Sequence, residues 1–230
     1  MSRSVHPQLW ITSLACLWTG ALALSGWAPH DRLTWLLEVA PALIALPLLL
    51  ATRRSFPLTP LLCCLIALHG LVLMAGGAYT YARVPLGFWL QDCLALDRNP
   101  YDKIGHFFQG LVPALLAREI LLRKRHINPT ALAPVLCISV AMAVSALYEL
   151  LEWASALALG QNADDFLGTQ GDPWDTQSDM FMALLGSFTA MLTLTRLQDR
   201  QILNLPPQPH IHPPASPSAT TAPTTPAALP

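Results

Sequence analysis

The 230-residue chain is 53% hydrophobic and only 12% charged, with a formal net charge of −1. A soluble domain usually carries about 25% charged residues, so this composition excludes an ordinary soluble enzyme, while the near-zero net charge says little about partners. The five cysteines (Cys16, Cys63, Cys64, Cys93 and Cys137) show no C-x-x-C spacing, and all but Cys93 fall inside apolar stretches, so no zinc knuckle or disulfide framework is implied.

In chain order, apolar stretches close to the length that crosses ~30 Å of hydrocarbon predict six transmembrane helices, at 9–27, 33–51, 58–81, 101–122, 131–159 and 174–197. The expected fold is all-α, a polytopic membrane helix bundle occupying residues 1–204, with the lipid bilayer as its solvent. Between the third and fourth spans, LGFWLQDCLAL (86–96) has helical apolar spacing, suiting either a short surface helix or a connecting turn. Residues 205–230 form a Pro/Ala/Thr-rich tail with nine prolines after Leu205, predicted to be disordered, and its His210 and His212 read as solvated residues.

Lys and Arg set the orientation. With the N-terminus inside, nine basic residues fall on the cytoplasmic side and four outside. Both termini are therefore expected in the cytoplasm, with the 82–99 and 160–173 loops outside.

Two of these helices open alike. The fourth begins NPYDKIGH (99–106) and the sixth DPWDTQSD (172–179). Asn99 and Asp172 read as N-caps, Pro100 and Pro173 as first helical residues, and Asp102 and Asp175 as acids facing free backbone donors in the first turn. Capping does not account for His106 and Asp179, which lie one turn further in on the same faces as Asp102 and Asp175. The fifth span adds Glu149 and Glu152, three apart, with Glu149 about 27 Å along the helix from Ala131 and so at the same outer level. Lys103, Gln109, Tyr148 and Trp174 border these acids in sequence.

If the acids converge, they cannot all stay ionised without a proton or a cation. Carboxylates with one histidine suit a divalent cation such as Mg²⁺, Mn²⁺ or Zn²⁺. Candidate metal ligands are Asp102, Glu152, Asp175 and Asp179, and candidate catalytic groups are Glu149 and His106 as general base. The competing reading has the acids capping helices at the water interface and pairing with Lys103. His69, alone in mid-span, reads as a neutral histidine bonding a neighbouring helix, and Glu38 as a further member of the cluster or a partner of Arg32. Arg118 reads as snorkelling and Glu119 as an i, i+4 partner of Arg123.

The segments GGAYTYARVPLGFW, RNPYDKIGHFFQGLVPALLAREILLR and SALYELLEWASALALGQNADDFLGTQGDPWDTQSDMFMALLGS resemble the YjdF-type bacterial inner-membrane proteins, a family of unknown function. A more distant similarity is to VanZ-like membrane proteins, through Asp102, Lys103, His106, Glu149, Glu152, Asp179 and Gly186. The resemblance implies a multi-pass protein of the bacterial inner (plasma) membrane. Two functions follow as expectations. One is non-catalytic binding of a cation or of a lipid or envelope-precursor headgroup. The other is a metal-assisted hydrolase or transferase acting on such a precursor. No nucleic acid is expected as a partner. No nucleophile motif, phosphate loop or clear inverted repeat is present, and the outer-leaflet depth argues against a midplane transport site.

Overall fold

The computed structural model describes residues 7–128, 131–159 and 170–205. The 205–230 tail beyond its first residue, with His210 and His212, and residues 160–169 of the acidic loop lie outside the described residues. The elements are α1 (Pro7–Trp27), α2 (Arg32–Thr52), α3 (Pro60–Tyr79), a 3₁₀ turn (Tyr81–Arg83), α4 (Pro85–Leu94), α5 (Tyr101–Arg123), α6 (Leu132–Leu159), α7 (Asp175–Thr189), a π-helical turn (Ala190–Leu194) and α8 (Thr195–Ile202). The fold is all helical, with no strand among the described residues.

Local chemistry sets several of these boundaries. Asp31 caps α2 by accepting the Thr34 N–H at 2.7 Å, and Thr59 caps α3 ahead of Pro60 at its first position. Segment 86–96 is helical as α4, ending where Ala95 turns left-handed (φ 50°).

Four stretches are long and apolar enough to cross a membrane: Arg32–Thr52, Pro60–Tyr79, Leu132–Ala158 and Asp175–Ile202. Large apolar side chains such as Leu24, Leu147, Leu157, Phe181 and Leu192 project outward, which suits lipid rather than water.

The polar helix α5 lies at the centre, with α3, α6 and α7 packed on it. Its burial explains how Asp102, Lys103, His106, Arg118, Glu119 and Arg123 are accommodated, since polar groups in a membrane protein face the bundle interior. Two glycines draw α5 and α7 together. A methyl group on Gly110 would stand 1.7 Å from the Ala183 carbonyl oxygen, and one on Gly186 would stand 1.9 Å from that of Phe107. Such close backbone approach through small residues is how membrane helices gain packing contact.

At the other end of α5 lies a fully enclosed network. Glu119 accepts from the Thr59 N–H at 3.0 Å, the Thr59 hydroxyl at 2.7 Å, Arg123 at 2.8 Å and Gln198 at 3.3 Å. The expected i, i+4 pair with Arg123 is present, but Glu119 is completely buried and joins three helices. Arg118, expected to snorkel, instead donates to Gln198 at 2.9 Å and pairs with Asp199 at 2.8 Å. The π-helical turn makes this possible. Its one extra residue rotates the following face by roughly 100°, turning Gln198 inward to reach the Leu115 carbonyl at 3.0 Å.

Two expectations about the helix mouths are corrected. Asn99 and Asp172 are not N-caps, and Pro100 and Pro173 are not first helical residues, because α5 starts at Tyr101 and α7 at Asp175. Both instead form the same local turn: the Asn99 side-chain oxygen accepts the Tyr101 N–H at 3.0 Å, and Asp172 accepts the Trp174 N–H at 2.8 Å. Short Asx side chains favour this i to i+2 bond, which competes with capping.

Candidate functional site

The likeness of the two mouths becomes contact in three dimensions. His106, one turn into α5, and Asp179, one turn into α7, sit directly above the glycine crossing, since His106 precedes Gly110 by four residues and Asp179 precedes Ala183 by four. His106 Nε2 lies 3.4 Å from an Asp102 oxygen and 3.9 Å from an Asp179 oxygen. The three residues present ligand atoms that all lie within 4.8 Å of one another. On the other side of the ring, Nδ1 is 3.0 Å from Gln109 Oε1 and 3.6 Å from Glu149 Oε1. Tyr148 packs edge-on to the imidazole with centroids 6.3 Å apart.

A second layer of charge covers this centre toward the mouth. Lys103 Nζ bridges α5 to α7, 2.9 Å from Asp175, 2.6 Å from Asp179 and within hydrogen-bond distance of Ser178. Arg98 adds a bond of 2.6 Å to Asp175 and a pair of 2.9 Å to Asp172. Exposure falls from 29% at the Asp172 side chain through 18% at Lys103 to 3% at Asp179. The charges thus grade from the water-facing rim into the bundle.

Behind His106 a small cavity of about 20 Å³ is lined by Glu38, His69, Tyr81, Asp102, His106 and Tyr148, among others. That is room for one water, which needs about 10–15 Å³ by the same measure. Tyr148 donates to Glu38 at 3.2 Å, and the buried His69 Nε2 has no hydrogen-bond partner among the described residues. Tyr81 walls the cavity by lying across Gly76 and Gly105, where an added methyl would stand 2.4 Å and 2.9 Å from its ring.

Comparison with known proteins places the chain. Residues 10–200 match the family model described as Predicted membrane protein (DUF2238). The chain belongs to this family. A relative, the Inner membrane protein YjdF of Escherichia coli (strain K12), is 57% identical over 202 residues, covering 88% of this chain and 96% of the relative. No solved structure matches.

Within this DUF2238 protein, the structure gathers most of the expected site residues. Asp102, His106 and Asp179 face one another, Gln109 and Glu149 hold the rear of His106, and Lys103 ties Asp175 to Asp179. Glu152 is half-buried and stands close enough to Asp102, Glu149 and His106 for their charges to interact, without a hydrogen bond or ion pair to them. Trp174 is not part of the cluster; at 68% exposure it points away from the bundle, as an interfacial tryptophan does. Of the two readings of Glu38, the bond to Tyr148 favours membership of the cluster. His69 stacks on Phe108, with ring centroids 6.1 Å apart, rather than hydrogen-bonding a neighbouring helix. Sequence reading missed Arg98 and Ser178 as partners. The only signal for Arg98 was a basic residue one position before the Asn99 turn.

Proposed function

We propose that this inner-membrane protein binds a divalent cation at the end of the bundle where α5 and α7 begin, through Asp102, His106 and Asp179. The arrangement of His106 carries the reading. Its Nε2 faces two carboxylates at 3.4 and 3.9 Å, while its Nδ1 meets Gln109 Oε1 at 3.0 Å. A metal-ligating histidine is commonly oriented by a bond from its other nitrogen to a carbonyl or carboxylate. Ligand atoms about 2.0–2.2 Å from one ion lie roughly 3 to 4 Å from each other, and both His106 distances fall in that range. The O, N, O donor set suits a hard or borderline ion. Lys103 shares Asp179 Oδ1, so ammonium and metal compete for that oxygen. The two-cytoplasmic-termini topology, supported by the distribution of Lys and Arg, turns this centre to the outer leaflet, within reach of a lipid or envelope-precursor headgroup.

The test is metal content. Protein purified in detergent, stripped with chelator and reloaded with Mn²⁺ should retain about one ion per chain by elemental analysis, with ligand loss costing ~10-fold or more in affinity. His106→Ala and Asp179→Ala should lose it, and Asp172→Asn should not. Equal metal in wild type and Asp179→Ala refutes the reading.

A metal-assisted hydrolase or transferase is the second reading, favoured by Glu149. Its Oε1 is buried without a hydrogen-bond partner among the described residues, as suits a general base beside an activated water. Profiling of lipids and envelope precursors in a deletion strain complemented with Glu149→Gln tests it. A profile identical to wild-type complementation counts against catalysis.

A further inference from the structure

An apolar cleft lies at the opposite end of the bundle, away from the acidic centre. This cleft, of about 90 Å³, runs among α1, α2 and the start of α3, lined by apolar residues including Leu14, Leu46, Leu49 and Leu58, with Trp18 in its wall and Arg53 on its rim. A wider groove of about 550 Å³ between α1 and α2 shares Ala15, Leu50 and Arg53 with it, and this volume is within the ~300–1,000 Å³ of ligand sites.

The lining contains a donor as well as hydrocarbon. Trp18 is 4% exposed, and its Nε1 has no acceptor among the described residues. The ring cannot back away, because its benzo edge rests on Gly70, where even a methyl group would come within 2.5 Å. A buried indole N–H normally has a partner, and a ligand acceptor that reached it would supply one. The rim is basic. Arg53 is exposed at the end of α2, and the exposed Lys124 stands over Phe56, another lining residue, at 5.9 Å from its ring centre. The nearby acid Glu119 is enclosed by its own donors.

We propose that this cleft and the groove continuous with it together hold one anionic phospholipid, its chains along their apolar walls, its phosphate at the shared Arg53, and a glycerol ester carbonyl accepting from Trp18. Charge complementarity selects the occupant, since basic pockets between transmembrane helices bind anionic headgroups. The proposal is independent of the cation centre and of whether any reaction occurs there.

Native mass spectrometry of the delipidated full chain decides it, with phosphatidylglycerol titrated against phosphatidylcholine of identical chains. One phosphatidylglycerol per chain should survive activation that strips phosphatidylcholine. Arg53→Gln should weaken it by about tenfold or more, as loss of a charge-assisted bond requires, and Trp18→Phe by about two- to tenfold. Arg54→Gln, at a neighbouring charge outside the lining, should leave it nearly unchanged. Equal retention of the two lipids, or equal losses in the Arg53 and Arg54 variants, overturns the site, because either result means only a general attraction of lipid to a basic surface. Because Arg53 is exposed, its variant should melt as wild type does, which keeps the comparison valid even if Trp18→Phe fails to fold.

Discussion

The α5–α7 crossing makes a prediction that alters no polar residue. In Gly110→Ala the new methyl would stand 1.7 Å from the Ala183 carbonyl oxygen. Relaxed C···O contacts are about 3.3 Å, so the helices must part by about 1.6 Å. Overpacking of this kind costs about 1–3 kcal/mol. His106 and Asp179 sit one turn above the contact on either helix, so their 3.9 Å approach should open by a similar amount. Metal sites tolerate about 0.2 Å of ligand misplacement, so Mn²⁺ affinity should collapse although every ligand is intact. Gly20 is the control, having nothing within 4 Å of an added methyl; there alanine should be neutral or should add up to ~1 kcal/mol from helix propensity. Thermal unfolding in detergent and calorimetric Mn²⁺ titration read both effects. If Gly110→Ala melts at or above the wild-type temperature and binds Mn²⁺ normally, the crossing does not position the site.

Three further outcomes are expected. Glu119→Ala strands Arg123, Thr59 and Gln198 without their shared acceptor and should cost about 3–5 kcal/mol by denaturant melts, whereas a loss below 1 kcal/mol would mean water replaces the carboxylate. Lys103→Gln removes the counter-charge between Asp175 and Asp179 and should destabilise the protein by about 2–3 kcal/mol, less than a fully buried pair because Lys103 is partly exposed. Mn²⁺ at about 100 times its Kd should restore ~2.7 kcal/mol, and a deficit indifferent to Mn²⁺ would count against cation binding. Asp31→Ala should cost about 1 kcal/mol as a lost cap. The Thr34 N–H holds the Asp31 carboxyl below its ordinary value, so its contribution is present above the unfolded-state value and lost as pH falls through the lowered one. The melting difference between wild type and Asp31→Ala should therefore hold from neutral pH to about pH 5, begin to shrink near the unfolded-state value of about 4, and close only below the lowered one; a gap that persists in strong acid would assign the effect to something other than the carboxylate.

Length, hydropathy and i, i+4 spacing were enough to establish the membrane helical class, the helix limits to within a few residues, and the pairing of Asp102 with His106 and Asp175 with Asp179 on single helix faces. Those features depend on one element at a time, and a helix's own geometry dictates them. Only the tertiary structure decided which faces meet. That depended on Gly110 and Gly186 setting the depth of the α5–α7 contact, and on the π-helical turn rotating Gln198 inward. The same packing stood Glu149 3.6 Å from His106, drew Arg98 and Glu38 into contact with the cluster, left Trp174 outside it, and buried Glu119 within a network instead of at a surface. Hydrophobic periodicity marks a helix's buried side. Its rotation and depth against a neighbour come from where small residues let two backbones approach, and in this bundle that is what aligns a histidine with two aspartates.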